Sequence, residues 1–178
     1  MKKAIIIPAL TIICAALVLF GLTFGLKNIA AANAQAEHLK IMQTLLPGSE
    51  EFTVEEYTGE DANIRSIHKA ANGYVIETVT AGYAGDITML IGVSTEGKVT
   101  GLVVRELNET PGLGMNALND HVFLSQFLNT SGEAEVGTNV DAISGATVTS
   151  KAIARCVNSA VAYVTGADID SGATSWGG

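Results

Sequence analysis

The chain has 178 residues, room for one domain and a small appendage. Its 10 Lys and Arg against 18 Asp and Glu leave a net charge of −8, which excludes nucleic acid and anionic membrane surfaces as charge-driven partners. Cys14 and Cys156 lie far apart and His38, His68 and His121 are scattered, so an intramolecular disulfide, an iron–sulfur cluster and a structural zinc site all lack ligands.

The first element is a run from Ala4 to Leu26, apolar apart from Thr11 and Thr23 and without charge. As a helix it is long enough to span a hydrocarbon core of about 30 Å. Lys2 and Lys3 precede it, and past Lys27 the chain turns acidic. The positive-inside rule therefore places the N-terminus in the cytoplasm and the rest on the extracytoplasmic side. Ala32-Asn33-Ala34 and Ala34-Gln35-Ala36 offer signal-peptide cleavage sites, but the apolar run exceeds a usual signal core. The reading is an uncleaved anchor over residues 1–29. Cys14, with Ile13 before it instead of the small residue that lipid attachment requires, is a membrane-facing apolar residue.

Residues 30–46 continue as an alanine-rich helix with Leu39, Met42, Leu45 and Leu46 on one side, stopped by Pro47-Gly48. With the acidic stretch that follows, including a short strand over 52–57, they form a juxtamembrane helix and connector over 30–72. A domain over 73–166 comes next. It opens with strands over 73–80, 87–93 and 99–106, the last two a hairpin around Ser94-Thr95-Glu96-Gly97-Lys98. Glu109-Thr110-Pro111-Gly112-Leu113-Gly114 is a loop with strong breakers. A helix is expected over 118–128, a loop over 129–138 and a helix over 151–164 whose stripe is Ile153, Val157, Ala160, Val161 and Val164. Residues 167–178 read as a flexible polar tail. The fold class is α+β: an antiparallel sheet with packed helices behind one membrane helix.

Asp141-Ala142-Ile143-Ser144-Gly145-Ala146-Thr147-Val148-Thr149 stands at the start of the last helix, with Thr147 or Thr149 as its N-cap. Taken plainly, this is a turn and a capped helix. The same geometry also suits a phosphate, since a helix start presents free N–H groups and the positive end of the dipole. Gly145 and Ala146 leave room for a bulky group, Thr147 supplies an esterifiable oxygen, and Lys151 and Arg155 follow one and two turns on. There is no nucleophile elbow, acid–base pair or nucleotide-binding glycine loop, so no catalytic residue and no metal ligand is assigned.

The run from Val140 to Ala152 resembles the FMN-attachment segment of the G subunit of the Rnf electron-transport complex, and is similar to that of the C subunit of the sodium-translocating NADH:quinone reductase. The Glu109–Gly114 loop is a second match, in the same order behind one N-terminal apolar run; the resemblance is strongest over 73–164. It implies covalent FMN, joined through its phosphate to Thr147. Asp141, Ser144, Gly145 and Ala146 match the motif read by a flavin transferase. Glu109, Thr110, Pro111, Gly112, Leu113 and Gly114 match the loop beside the isoalloxazine ring, with Leu113 in apolar contact. It further implies an electron-transfer component among integral membrane partners, in a complex moving electrons between reduced ferredoxin and NAD coupled to sodium or proton transport. The short chain favours the Rnf protein over its longer relative. A stand-alone extracytoplasmic flavin relay and a flavin-free anchored binding or scaffold domain are the alternatives. Asp168-Ile169-Asp170-Ser171-Gly172-Ala173-Thr174 repeats the spacing of the first motif, without a helix start behind it.

Overall fold

Five strands form one antiparallel sheet in chain order, β1 (Thr53–Glu55), β2 (Ile64–Ala70), β3 (Gly73–Ala81), β4 (Asp86–Ser94) and β5 (Val99–Leu107). The computed structural model describes residues 20, 30, 32–107 and 120–167. The expected membrane segment, Phe20 aside, lies outside them, as do the 109–114 loop and the second motif copy at Thr174. Among the described residues no helix is long and apolar enough to cross a membrane. The chain divides into two compact units, Met1–Ile41 and Met42–Gly178. Sheet, long helix and candidate site all belong to the second.

The β3, β4 and β5 sequences alternate strongly enough to be read as strands, and they pair in long regular ladders with Ile76 opposite Ile91 and Ile91 opposite Leu102. The stretch expected as connector holds two strands, β1 and β2, and β2 pairs directly with β3. The sheet therefore begins before residue 73.

One face of the sheet carries Ile76, Ile87, Met89, Ile91 and Val93, all fully buried in the main core. The long helix Thr147–Thr165 covers it. Ile153, Val157, Ala160 and Val161 of the expected stripe are buried, and Val164 is partly so. Each such aliphatic side chain taken from water contributes roughly 1.5–3 kcal/mol. The helix expected over 118–128 is one short turn, His121–Ser125, with Asp120 capping it by accepting from the N–H groups of Val122 (2.9 Å) and Phe123 (3.1 Å). Phe123 and Phe127 meet edge to face, centroids 5.3 Å apart, inside the core.

The opposite face meets the end of a helix described over 32–45. Leu45 and Leu46 are buried, and the Leu45 carbonyl accepts from Thr100 Oγ1 at 2.5 Å. Gly92 and Gly101, paired across β4 and β5, let that backbone come close; a β-carbon on Gly92 would collide with the Leu45 carbonyl. Gly92→Val is therefore expected to cost roughly 1–3 kcal/mol through overpacking. A lowered urea midpoint with unchanged slope measures it.

Cys156 is fully buried, and burial pushes its thiol from 9.0 up to about 11. The folded state holds the proton that the unfolded chain releases first. This contribution to stability is therefore full below pH 9 and falls away as pH rises from 9 through about 11. In a Cys14→Ser chain, Cys156 is expected to resist a thiol reagent at pH 8 until denaturant is added.

Candidate functional site at the start of the long helix

The long helix starts at Thr147, one turn earlier than its apolar stripe suggests. Ile143 to Ala146 form a tight turn, closed by the Ala146 N–H donating to the Ile143 carbonyl at 2.9 Å. Gly145 takes φ +78 in it, a conformation costly for residues with a β-carbon. Coming out of that turn, the chain is already helical at Thr147, and the N-cap position falls on Ala146. Neither Thr147 nor Thr149 is the cap: Thr147 is the first helical residue and Thr149 is buried within the first turn.

No side chain caps this helix. A buried hydroxyl braces the turn from within: Ser150 Oγ donates to the Ala146 carbonyl at 2.9 Å and accepts from the Ile143 N–H at 3.3 Å. Thr147 is exposed, and its hydroxyl makes no hydrogen bond among the described residues. Asp141, Ser144 and Gly145 are exposed beside it, while Ala146 is buried and anchors the turn to the core. The motif is thus brought together on one surface, around a hydroxyl at an uncapped helix start. The open N–H groups and the dipole there favour a phosphate ester on that oxygen. These residues fit the attachment end of FMN.

Lys151 is exposed one turn on. Arg155 does not turn toward Thr147: its Nη2 donates to the Ala81 carbonyl at the end of β3, at 3.4 Å. The Glu109, Thr110, Pro111, Gly112, Leu113 and Gly114 loop lies outside the described residues. The strand feeding it, β5, ends at Leu107 opposite Ile87, at the sheet end where Arg155 meets Ala81.

Two supporting residues escape a reading of the sequence. Gln126 Oε1 accepts from the Asp141 N–H at 2.8 Å and so fixes the start of the motif. Asn158 grips Ala134 through both backbone groups, Oδ1 from the N–H at 2.9 Å and Nδ2 to the carbonyl at 3.0 Å. Each is a lone amide acting across a distance in sequence, with no local pattern to mark it. Among the described residues no group of acidic, His or Cys side chains is placed to hold a metal.

Comparison with known proteins adds three observations. A family described as FMN-binding domain matches residues 82–162. The chain is 33% identical over 177 residues to the G subunit of the ion-translocating oxidoreductase complex of Methanosarcina acetivorans, covering 90% of this chain and 93% of that protein. It is 39% identical over 100 residues to the G subunit of the Na(+)-translocating ferredoxin:NAD(+) oxidoreductase complex of Acetobacterium woodii, covering 50% of this chain and 47% of the relative. The corresponding protein of the proton-translocating complex of Clostridium ljungdahlii is also 39% identical, with 52% and 53% covered. The chain thus spans about half the length of these two relatives. Among solved structures, the crystal structure of Shewanella oneidensis NqrC matches with a TM-score of 0.45 and 19% identity, over 70% of this chain and 73% of that one.

Proposed function

The chain belongs to the family of G subunits of ion-translocating oxidoreductase complexes, and from that premise we propose that it is an electron-transfer flavoprotein of such a complex, carrying covalent FMN on Thr147. The observation that carries this reading is the exposed Thr147 hydroxyl at the uncapped start of the long helix, inside the span matched by the FMN-binding family. FMN, when bound, passes electrons singly or in pairs, which suits a relay between one-electron and two-electron centres.

The chain's own residues supply the mount. Thr147 Oγ1 gives the ester oxygen, and the first-turn N–H groups face the phosphate. Gly145 and Ser144 keep the approach open for a flavin transferase, while Ser150, Gln126 and the buried Ala146 hold the turn rigid. The 109–114 loop, leaving β5 at the same sheet end, is assigned to the ring. Residues 1–29 form a single-pass anchor in the cell membrane with the N-terminus cytoplasmic, and the flavin domain stands on the extracytoplasmic side. The domain order is anchor 1–29, connector 30–72, FMN-binding domain 73–166 and tail 167–178. Ferredoxin, NAD and the transported sodium or proton are handled by other integral membrane subunits.

Purification of the tagged full chain from its own membranes in mild detergent tests this. The expected result is a flavin-fluorescent band that comes out with several integral membrane proteins. A fluorescent chain purifying alone would point to a stand-alone relay, and a colourless chain would overturn the flavin reading.

A further inference from the structure

We propose that Tyr83, at the tip of the β3–β4 turn, is the aromatic wall on which the isoalloxazine ring of the Thr147-linked FMN packs. The inference rests on the flavin reading above.

The long helix and β3 run in opposite directions, and three contacts fix the alignment. Tyr163 meets Tyr74 near the start of β3, ring centroids 5.7 Å apart. Ser159 Oγ accepts from Asn63 Nδ2 at 3.1 Å, and the Asn63 carbonyl accepts from the Val79 N–H at 2.7 Å. Arg155 reaches the carbonyl of Ala81, the last residue of β3. The C-terminal end of the helix therefore lies over the start of β3, and its N-terminal end lies toward the β3–β4 turn.

Two distances bring Thr147 and this turn level. Thr147 lies two helical turns before Arg155, about 12 Å along the axis at 1.5 Å per residue. Tyr83 lies two residues beyond Ala81, about 7 Å at the rise of an extended chain. Both overhang the last rung of the ladder, Ala81 opposite Asp86, on the same side.

The turn is Gly82-Tyr83-Ala84-Gly85, closed by the Gly82 N–H donating to the Gly85 carbonyl at 2.8 Å. Its other residues are small, yet its tip carries a phenol ring 67% exposed. Among the described residues of the sheet-bearing unit, Tyr83 is the one aromatic left that open to solvent. A hairpin tip needs no aromatic side chain, and glycine and small polar residues suffice for the turn. A planar heteroaromatic ring tethered at Thr147 can stack offset on the phenol, which then shields one face of the flavin from water. The FMN-binding family match also begins at residue 82, the first residue of this turn.

The test uses the full chain, co-expressed with a flavin transferase and solubilised in detergent, as wild type, Tyr83→Leu and Tyr83→Trp. Covalent FMN is counted by intact mass, and emission is measured per flavin, because contact with a phenol or indole ring quenches flavin fluorescence. The expected result is full FMN occupancy in all three. Tyr83→Leu should be several-fold brighter and more open to iodide quenching than wild type, and Tyr83→Trp dimmer. Equal brightness and equal iodide quenching at full occupancy would overturn the placement of Tyr83 and leave the flavin reading intact. A wild type without FMN would overturn the flavin reading itself, and this inference with it.

Discussion

Thr147→Ala is expected to remove the covalent flavin completely while leaving the fold standing. The loss is total because the ester needs a side-chain oxygen at that position, and Thr149, the nearest alternative on the helix, is only 1% exposed. Ser144 is exposed but sits in the turn, outside the helix whose N–H groups face the phosphate. The fold survives because Thr147 is exposed, caps nothing and donates no described hydrogen bond. Alanine is also the better helix former, by up to about 0.7 kcal/mol. In-gel flavin fluorescence should vanish, while the circular dichroism spectrum and urea midpoint stay at or slightly above wild type. A fluorescent Thr147→Ala band would place the flavin elsewhere.

Phe127→Ala is expected to have the largest effect on stability. The ring is fully buried and meets Phe123 edge to face. Truncating a buried phenylalanine costs about 3–5 kcal/mol, the lost aromatic contact included. Domains of this kind are stable by only about 5–15 kcal/mol in total. The damage spreads because Phe127 pins a segment tied to its neighbours on both sides. The Asn129 N–H donates to the Val99 carbonyl, and the Val99 N–H to the Thr130 carbonyl, both at 2.9 Å, joining this segment to β5. Gln126, the residue before, holds the Asp141 N–H. A urea titration should show the loss, and flavin incorporation should drop with it because the motif loses its support. Unchanged incorporation at a lowered midpoint would mean that the turn at 143–146 holds without the aromatic pair.

Much of this architecture is written in local patterns. β3, β4 and β5 are long, alternating or continuously apolar, and bounded by glycine turns. β2 is hidden because its inward residues are Ile64 and Ile67, three apart, and its pairing with β3 shifts between Ile64 and Ser66. That irregularity destroys the period of two, and Arg65, His68 and Lys69 make the segment look like solvent-facing connector. The helix start is hidden for another reason. Threonine suggests a cap, but the Gly145 turn completes before Thr147 and moves the cap to Ala146, whose side chain cannot accept a hydrogen bond. The motif marks where the flavin attaches. The bracing by Ser150 and Gln126, and the diversion of Arg155 to Ala81, depend on contacts distant in sequence and become visible only once the sheet is assembled.

Peptide mapping of the wild-type chain, co-expressed with a flavin transferase and digested with trypsin, tests the central claim most directly. Cleavage after Arg105, Lys151 and Arg155 places Thr147 in the peptide 106–151 and Thr174 in the peptide 156–178. The account predicts the FMN mass on the peptide 106–151, with fragment ions assigning it to Thr147. FMN on 156–178 alone, or on neither peptide in cells that flavinylate a control protein, would contradict it.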